Sequence, residues 1–267
     1  MIRSAFALVC LFAAMPATAC SVVRTYRVPT NLELAGKAEL IVLGRVIGGQ
    51  KMSDGTMDGV KIVIQPLSAL KGALPPAPIT LPGLSLAPDR FAILSNPYEL
   101  HQAHPLSYIG GCIRYMFPMG TTALFFLSKE DGKWRPAGGP FSRWAEDALD
   151  PQGPWPLLTG LYVRAAILPE AERKALLEAE RARYAANAAD PVSRLIAADI
   201  ERQLKGPEKP WNDQMQDMMA TPEPADPSTT SSASAQSAAR QAALDARDAA
   251  EAAAAELQAQ AKSKRRK

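Results

Sequence analysis

The chain has few of the residues that most enzymes and metalloproteins use for chemistry. Its 267 residues include three cysteines and two histidines. It has no nucleophile-elbow motif, no metalloprotease helix motif and no phosphate-binding glycine loop. Its scattered Ser, Asp and His residues lack the spacing of a catalytic triad. We therefore expect a protein that is not an enzyme and that uses no cofactor.

Net charge, aromatic side chains and long apolar runs are also scarce. The net charge is +3, and loss of Arg3 would make it about +2, so no strong field draws the chain to nucleic acid. Aromatic residues are 6% of the chain, and Phe125 and Phe126 lie in a core-like run, which leaves few rings to stack on bases. After residue 19, no apolar run reaches the roughly 20 residues that a spanning helix needs. We expect no nucleic-acid partner and no membrane-spanning segment.

The first 19 residues have the pattern of a cleavable export signal. Arg3 precedes an apolar run from residue 5 to residue 15, and small residues stand at Ala17 and Ala19. The run is about a dozen residues long, which is too short to span a bilayer. We expect cleavage after Ala19, so that the periplasmic or secreted protein begins at Cys20.

Export leaves two thiols in the mature chain, because Cys10 is removed with the signal. Two cysteines in an oxidising compartment favour one disulfide, between Cys20 and Cys112. Such a bridge would close a loop of roughly 90 residues and contribute on the order of 4 kcal/mol in the chain-entropy model. The simplest interpretation is a bridge that only stabilises the fold.

A second interpretation makes Cys20 a lipoprotein cysteine that anchors the protein to a membrane. Ala19 is small, as lipoprotein processing requires, but Ala17 stands where Leu, Val or Ile is usual. A lipidated sulfur cannot form a disulfide, so Cys112 would be left unpaired. This unpaired thiol argues against lipidation.

The two histidines, His101 and His104, lie three residues apart before Pro105. Imidazoles at this spacing can share a metal, and Glu99 or Cys112 could complete the site. The chain has no second conventional ligand pair, so we favour a plain loop.

The first half of the chain is typical of short strands separated by turns. β-Branched and apolar residues, in places alternating with polar ones, predict strands at residues 39–46, 60–65, 79–81, 90–94, 121–127 and 133–137. The last two are joined by a hairpin-length polar turn at 128–132. Five or six short strands with Pro- and Gly-rich connections favour a small barrel or sandwich. We assign this mainly β domain to residues 20–150.

The pattern changes to helix after about Trp155. Residues 170–186 follow Pro169 and are rich in good helix formers, and a second helix has an N-cap at Asp190, Pro191 at its start and Gly206 past its end. An apolar stripe on the second helix predicts packing against the barrel or the preceding helix. The stripe comprises Val192, Leu195, Ile196, Ile200 and Leu204. We predict a two-helix extension over residues 151–206.

From residue 207 the chain loses core-forming residues. A Pro/Ser-rich linker leads to an Ala-rich stretch at 235–261, whose large apolar residues, Leu244 and Leu257, are too few for a coiled-coil seam. We expect residues 207–267 to be disordered or marginally helical. The basic end is a solvated tail or a contact for anionic lipid head groups or another polyanion. Its cations are Lys262, Lys264, Arg265, Arg266 and Lys267.

Several weak motifs occur in an order that resembles a known family. Cysteine at the expected mature start is followed by AELIVLGRV at 38–46, SALKG at 68–72, Cys112, GTTALFFL at 120–127 and DGKW at 131–134. This order resembles the netrin-like module, which is also the inhibitory domain of the tissue inhibitors of metalloproteinases. The resemblance covers residues 20–144.

The resemblance implies a five-stranded OB-type barrel flanked by helices, with Cys20 bridged to Cys112. In the inhibitors, the α-amino group and carbonyl of the first cysteine bind the target protease's zinc, and the next residue enters the specificity pocket. Here these residues would be Cys20 and Ser21, with Val22 beside them in the protein contact. An α-amino group has a pKa of about 8 and can supply a neutral nitrogen, and a catalytic zinc keeps one position open.

The chain also departs from the animal inhibitors, which carry a second cysteine two residues after the first and further bridges. Val22 stands at that position here. We therefore expect an exported, non-enzymatic protein-binding module, whose most specific form inhibits a zinc protease through Cys20. The alternative is a structural envelope lipoprotein lipidated at Cys20.

Overall fold

The structure, a computed structural model, describes residues 20–49, 60–87, 100–101, 103–109, 111–148 and 150–220. Within these residues the chain forms eight β-strands, five α-helices and a 3-10 helix at Pro105–Ile109. The strands are β1 (Leu40–Gly49), β2 (Lys61–Lys71), β3 (Ile79–Pro82), β4 (Leu84–Leu86), β5 (Met116–Pro118), β6 (Thr122–Glu130), β7 (Lys133–Pro136) and β8 (Ala145–Asp147). The helices are α1 (Asn31–Lys37), α2 (Pro154–Ala166), α3 (Glu170–Ala186), α4 (Pro191–Leu204) and α5 (Trp211–Ala220).

Six of the described strands form one antiparallel sheet. Its order is β3-β2-β1-β6-β7. β7 pairs with residues 127–130 of β6, and β8 pairs with residues 123–125 of the same strand. The two remaining strands, β4 and β5, form a short parallel ladder. An antiparallel sheet followed by helices confirms the coarse prediction of a mainly β fold with C-terminal helices.

The predicted closed barrel is not formed by the described residues, because the two edge strands do not pair. β3 and β7 have the same direction, and their Cα atoms come within 8 Å of each other, but no ladder joins them. Pro82 in β3 and Pro136 in β7 have no N–H, so each edge lacks a donor that a ladder would use. The sheet is therefore strongly curved but open at this seam.

Helices and curvature together cover both faces of the central strands. Residues 123–127 of β6 are all buried, as expected for a strand with a core on each side. Phe125 points into the core enclosed by the curved sheet, together with Trp144. Phe126 points into the core beneath the helices, together with Trp155 and Tyr162. The alternation of the strand thus divides one apolar run between two cores.

The two predicted helices form with the predicted ends. The carboxylate of Asp190 accepts hydrogen bonds from two backbone N–H groups of the first turn of α4, and Pro191 begins the helix. Gly206 follows its end with φ 89°. Pro169 is the N-cap of α3, which begins at Glu170 as predicted. The predicted stripe packs into the helical core, where Ile196 and Ile200 are fully buried and the other three residues are half-buried.

The helical part is larger than predicted. Residues 151–206 hold three helices, since α2 precedes the two expected ones, and α5 begins four residues into the predicted linker. α5 forms because Trp211 is 5% exposed and stacks on Phe141, with ring centroids 4.7 Å apart. This is a tertiary contact that helix propensity does not reveal. The predicted strand at 90–94, the signal peptide and the tail from residue 221 lie outside the described residues.

Candidate functional site

A disulfide joins Cys20 to Cys112, as the sequence predicts. The two Cα atoms are 5.2 Å apart and the cysteines are 92 positions apart in the chain. Cys112 follows the 3-10 helix, and its carbonyl accepts a hydrogen bond of 2.5 Å from the N–H of Phe141. The bridge therefore ties the N-terminal segment to two loops of the sheet domain.

An aromatic cluster holds the same segment from its other side. The Tyr26 ring meets Phe141 edge-on at 6.0 Å, and Phe141 stacks on Trp211. The Tyr26 hydroxyl donates a hydrogen bond to the carbonyl of Pro140 at 2.5 Å, and the backbone N–H of Trp211 donates to the carbonyl of Tyr26 at 2.8 Å. Burial raises the pKa of Tyr26 to about 12, so the hydroxyl stays protonated. We call the surface formed by residues 20–26, Cys112, Tyr108 and α5 the N-terminal edge.

The three predicted contact residues differ in exposure within the N-terminal edge. Cys20 and Val22 are half-buried and pack against the aromatic cluster, whereas Ser21 is exposed. The edge also carries large exposed apolar side chains, namely Val23 (73% exposed), Tyr108 (39%), Met218 (48%) and Met219 (74%). The edge thus combines a covalently held backbone with apolar surface, an arrangement suited to contact with another protein.

The two histidines do not form a metal site with other described residues. His101 is exposed, whereas His104 is fully buried and its Nδ1 accepts a hydrogen bond from the N–H of Leu106 at 3.2 Å. Desolvation, with smaller effects from two nearby arginines, lowers the pKa of His104 to about 2. Cys112 is bridged and supplies no thiolate, and Glu99 lies outside the described residues. In the described ranges no cluster of three or more metal-ligating side chains occurs.

Two ion pairs beside the histidine loop are structural. Arg143 and Glu146 are both fully buried and joined by hydrogen bonds of 2.8 and 3.0 Å. The buried Arg114 pairs with Asp147 at 2.7 Å and lies 4.6 Å over the ring of Phe117. Each buried charge has its counter-charge, as burial requires. The pairs hold β8 and the loops around it in place.

A buried carboxylate joins α1, α2 and α4. Asp199 accepts hydrogen bonds from the hydroxyl of Tyr162 at 2.6 Å, from Asn31 at 3.1 Å and from Arg202 at 2.7 Å. Burial raises the pKa of Asp199, while Arg202 and the hydrogen bonds act in the opposite direction. Desolvation and the adjacent carboxylate raise the pKa of Tyr162 well above its usual value. This network was not predicted from the sequence, although a lone Asp on the apolar side of α4 was a visible signal.

The remaining predicted contacts lie elsewhere. The basic residues at 262–267 are outside the described residues, so the polyanion contact stays a prediction. Among the described helices, none has the length and apolar character needed to cross a membrane. A scan against protein-family models, a search of curated proteins and a search of solved structures found no match to this chain.

Proposed function

We propose that this protein is an exported, non-enzymatic module that binds another protein through its N-terminal edge. The observation that carries the proposal is the bridge from Cys20 to Cys112, which fixes the backbone at the expected mature N-terminus while Ser21 remains exposed. A preorganised contact loses less conformational entropy on binding than a flexible one. The N-terminal edge is therefore suited to insertion into a partner's cleft.

The strand order supports a netrin-like, OB-type assignment for the domain. The path β3-β2-β1-β6-β7 contains five strands, and its two ends approach each other as the ends of a five-stranded barrel would. β8 and the β4–β5 ladder are additions to this path. The assignment also agrees with the resemblance in motif order and with the position of the bridge.

The most specific form of the proposal is inhibition of a zinc protease. After cleavage, the α-amino nitrogen of Cys20 would take the open coordination position of the protease's zinc, its carbonyl oxygen would add a fifth ligand, and Ser21 would enter the specificity pocket. The second cysteine of the animal inhibitors is replaced by Val22, which packs against the aromatic cluster. Apolar packing thus supplies part of the rigidity that a second bridge would give.

Inhibition assays with a panel of zinc proteases test this form. The oxidised chain beginning at Cys20 should inhibit at least one of them, more strongly as the pH rises through about 8, because only the neutral amine binds zinc. One extra alanine before Cys20 should weaken inhibition at least about tenfold, a loss of about 1.4 kcal/mol. The matched control carries the extra alanine at the C-terminus and should inhibit normally. Equal inhibition by the two extended chains would refute a zinc-binding terminus.

The alternative function, a structural envelope lipoprotein, requires the sulfur of Cys20. That sulfur is bonded to Cys112 in the structure, and a thioether to lipid cannot form on it at the same time. The bridge therefore favours the protein-binding proposal over the lipoprotein.

A further inference from the structure

A surface cleft lies along the unpaired seam of the sheet. It has a volume of about 430 Å³, within the range of small-ligand sites, which is about 300–1,000 Å³. Its lining comes from β2, β3 and β7 and from the residue before β2, and it shares no residue with the N-terminal edge. The cleft is thus a second surface, independent of the function proposed above.

The walls of the cleft are basic. Lys61, Lys133 and Arg135 line it, all three are exposed, and no Asp or Glu residue lines it among the described residues. None of the three cations is ion-paired with a described carboxylate. Three such cations on one side of a chain with a net charge of +3 create a local attraction for anions.

The floor of the cleft is apolar and aromatic. Successive residues of a strand point to opposite faces, so Lys133 and Arg135 point outward whereas Trp134 points toward the inner core. Trp134 is half-buried, and the Nζ of Lys129 lies 4.9 Å from the centroid of its ring. The open seam leaves this ring in contact with the cleft. A ligand there meets a ring surface below it and positive charge beside it.

The hairpin between β6 and β7 sets this arrangement. Its turn is the pair Asp131 and Gly132, with φ values of 49° and 73°, and Glu130 faces Lys133 across it. Two residues with positive φ form the tight turn that matches the twist of the flanking strands. The register of β7, and with it the alternation of cations and ring, is therefore fixed by the turn.

The geometry argues against an extended peptide as the ligand. A strand inserted between β3 and β7 would need about 9.6 Å, twice the usual strand spacing, whereas Cα atoms of the two edges lie within 8 Å. Pro82 and Pro136 also remove a backbone donor from each edge. Single-stranded nucleic acid usually stacks successive bases on several rings, and Trp134 is the one aromatic residue in the lining among the described residues.

We infer that the cleft binds an acidic sugar unit, a ring with an apolar face and a carboxylate, sulfate or phosphate group. The sugar ring packs on Trp134 and the floor of the seam, as apolar groups pack on aromatic faces. The anionic group accepts hydrogen bonds from the guanidinium of Arg135 and from Lys61 or Lys133, contacts that are stronger than those between neutral groups. A neutral sugar cannot make the hydrogen bonds to the cations, and an acidic peptide has no sugar ring to pack on Trp134.

Binding of defined probes to the oxidised chain tests the inference. Oligogalacturonate offers carboxylates and dextran sulfate offers sulfates on sugar rings, whereas dextran has no charge and polyglutamate has no sugar ring. We expect the two acidic sugars to bind at least about tenfold more tightly than dextran, polyglutamate or oligodeoxythymidine. The variant with Lys61→Gln, Lys133→Gln and Arg135→Gln should lose at least about tenfold in affinity for both acidic sugars.

A matched control removes the same charge elsewhere. The variant with Lys174→Gln, Arg183→Gln and Lys205→Gln, all exposed and on or beside α3 and α4, should change the affinity by less than about twofold, because exposed charges distant from the ligand are screened. Trp134→Ala should weaken acidic-sugar binding by about fivefold or more, and Trp134→Phe should retain most of it.

Three results would overturn the inference: equal losses in the two triple variants, binding of polyglutamate or oligodeoxythymidine as tight as that of oligogalacturonate, or undiminished binding in both the cleft triple variant and Trp134→Ala. Thermal unfolding checks that each variant is folded. The triple variants alter only exposed side chains, so they decide the question even if Trp134→Ala unfolds.

Discussion

Removal of the Cys20–Cys112 bridge should destabilise the protein and loosen the N-terminal edge. The double variant Cys20→Ser and Cys112→Ser leaves no free thiol at either position. The bridge spans 92 positions, for which the chain-entropy model gives about 4.6 kcal/mol of lost stability. For a domain of this size the melting temperature should fall by roughly 10–20 °C.

Urea and thermal unfolding of the oxidised protein, the reduced protein and the double variant measure this loss. The reduced protein should match the double variant, and reductant should not affect the double variant. Hydrogen exchange adds a local readout, because the N–H of Trp211 is bonded to the carbonyl of Tyr26 and should exchange faster once the segment is released. A stability loss below about 1 kcal/mol, with unchanged exchange at Trp211, would refute the reasoning.

Three further predictions concern the core. Asp199→Ala should cost about 2–4 kcal/mol in urea unfolding, because it removes two buried hydrogen bonds and a partly buried one. Glu178→Ala, which removes an exposed ion pair at 3.9 Å, should cost less than about 0.5 kcal/mol, and equal costs for the two variants would contradict the network. The folded protein holds His104 neutral, so the free energy of unfolding should decline by up to about 2–3 kcal/mol as the pH falls from 6.5 to about 4.5. His104→Gln should flatten this decline. Parallel pH profiles for the variant and the parent protein would contradict a neutral, buried His104. Gly138→Ala should destabilise the protein by at least about 1 kcal/mol more than Gly120→Ala. Both residues have positive φ, but a Cβ at position 138 would lie 2.7 Å from a buried side chain of α1, whereas a Cβ at position 120 would meet open space. Similar melting temperatures for the two variants would contradict this clash.

Features encoded locally in the sequence could be predicted well. The ends of α4 follow from an N-cap, a first-turn proline and a terminal glycine within 17 residues, and each acts through neighbouring backbone groups. The bridge could be predicted because export would leave two cysteines. In both cases few partners compete, so the pattern determines the structure.

Features that depend on contacts between distant parts of the chain could not be predicted from the sequence. α5 follows a proline-rich stretch and forms because the ring of Trp211 stacks on that of Phe141, which lies 70 positions earlier in the chain. β8 has three residues and is held by ion pairs of buried arginines. The open seam depends on where Pro82 and Pro136 fall once the sheet has curved, and the basic cleft joins residues more than 70 positions apart. No local pattern contains this information.

Intact-mass analysis and N-terminal sequencing of the exported protein test the central claim most directly. We predict a chain that begins at Cys20 with an unmodified α-amino group and a mass lower than that of the reduced chain by the two hydrogens lost when the bridge forms. A chain that begins before Cys20, a mass increased by diacylglycerol, or two thiols that react freely with alkylating reagents would contradict it.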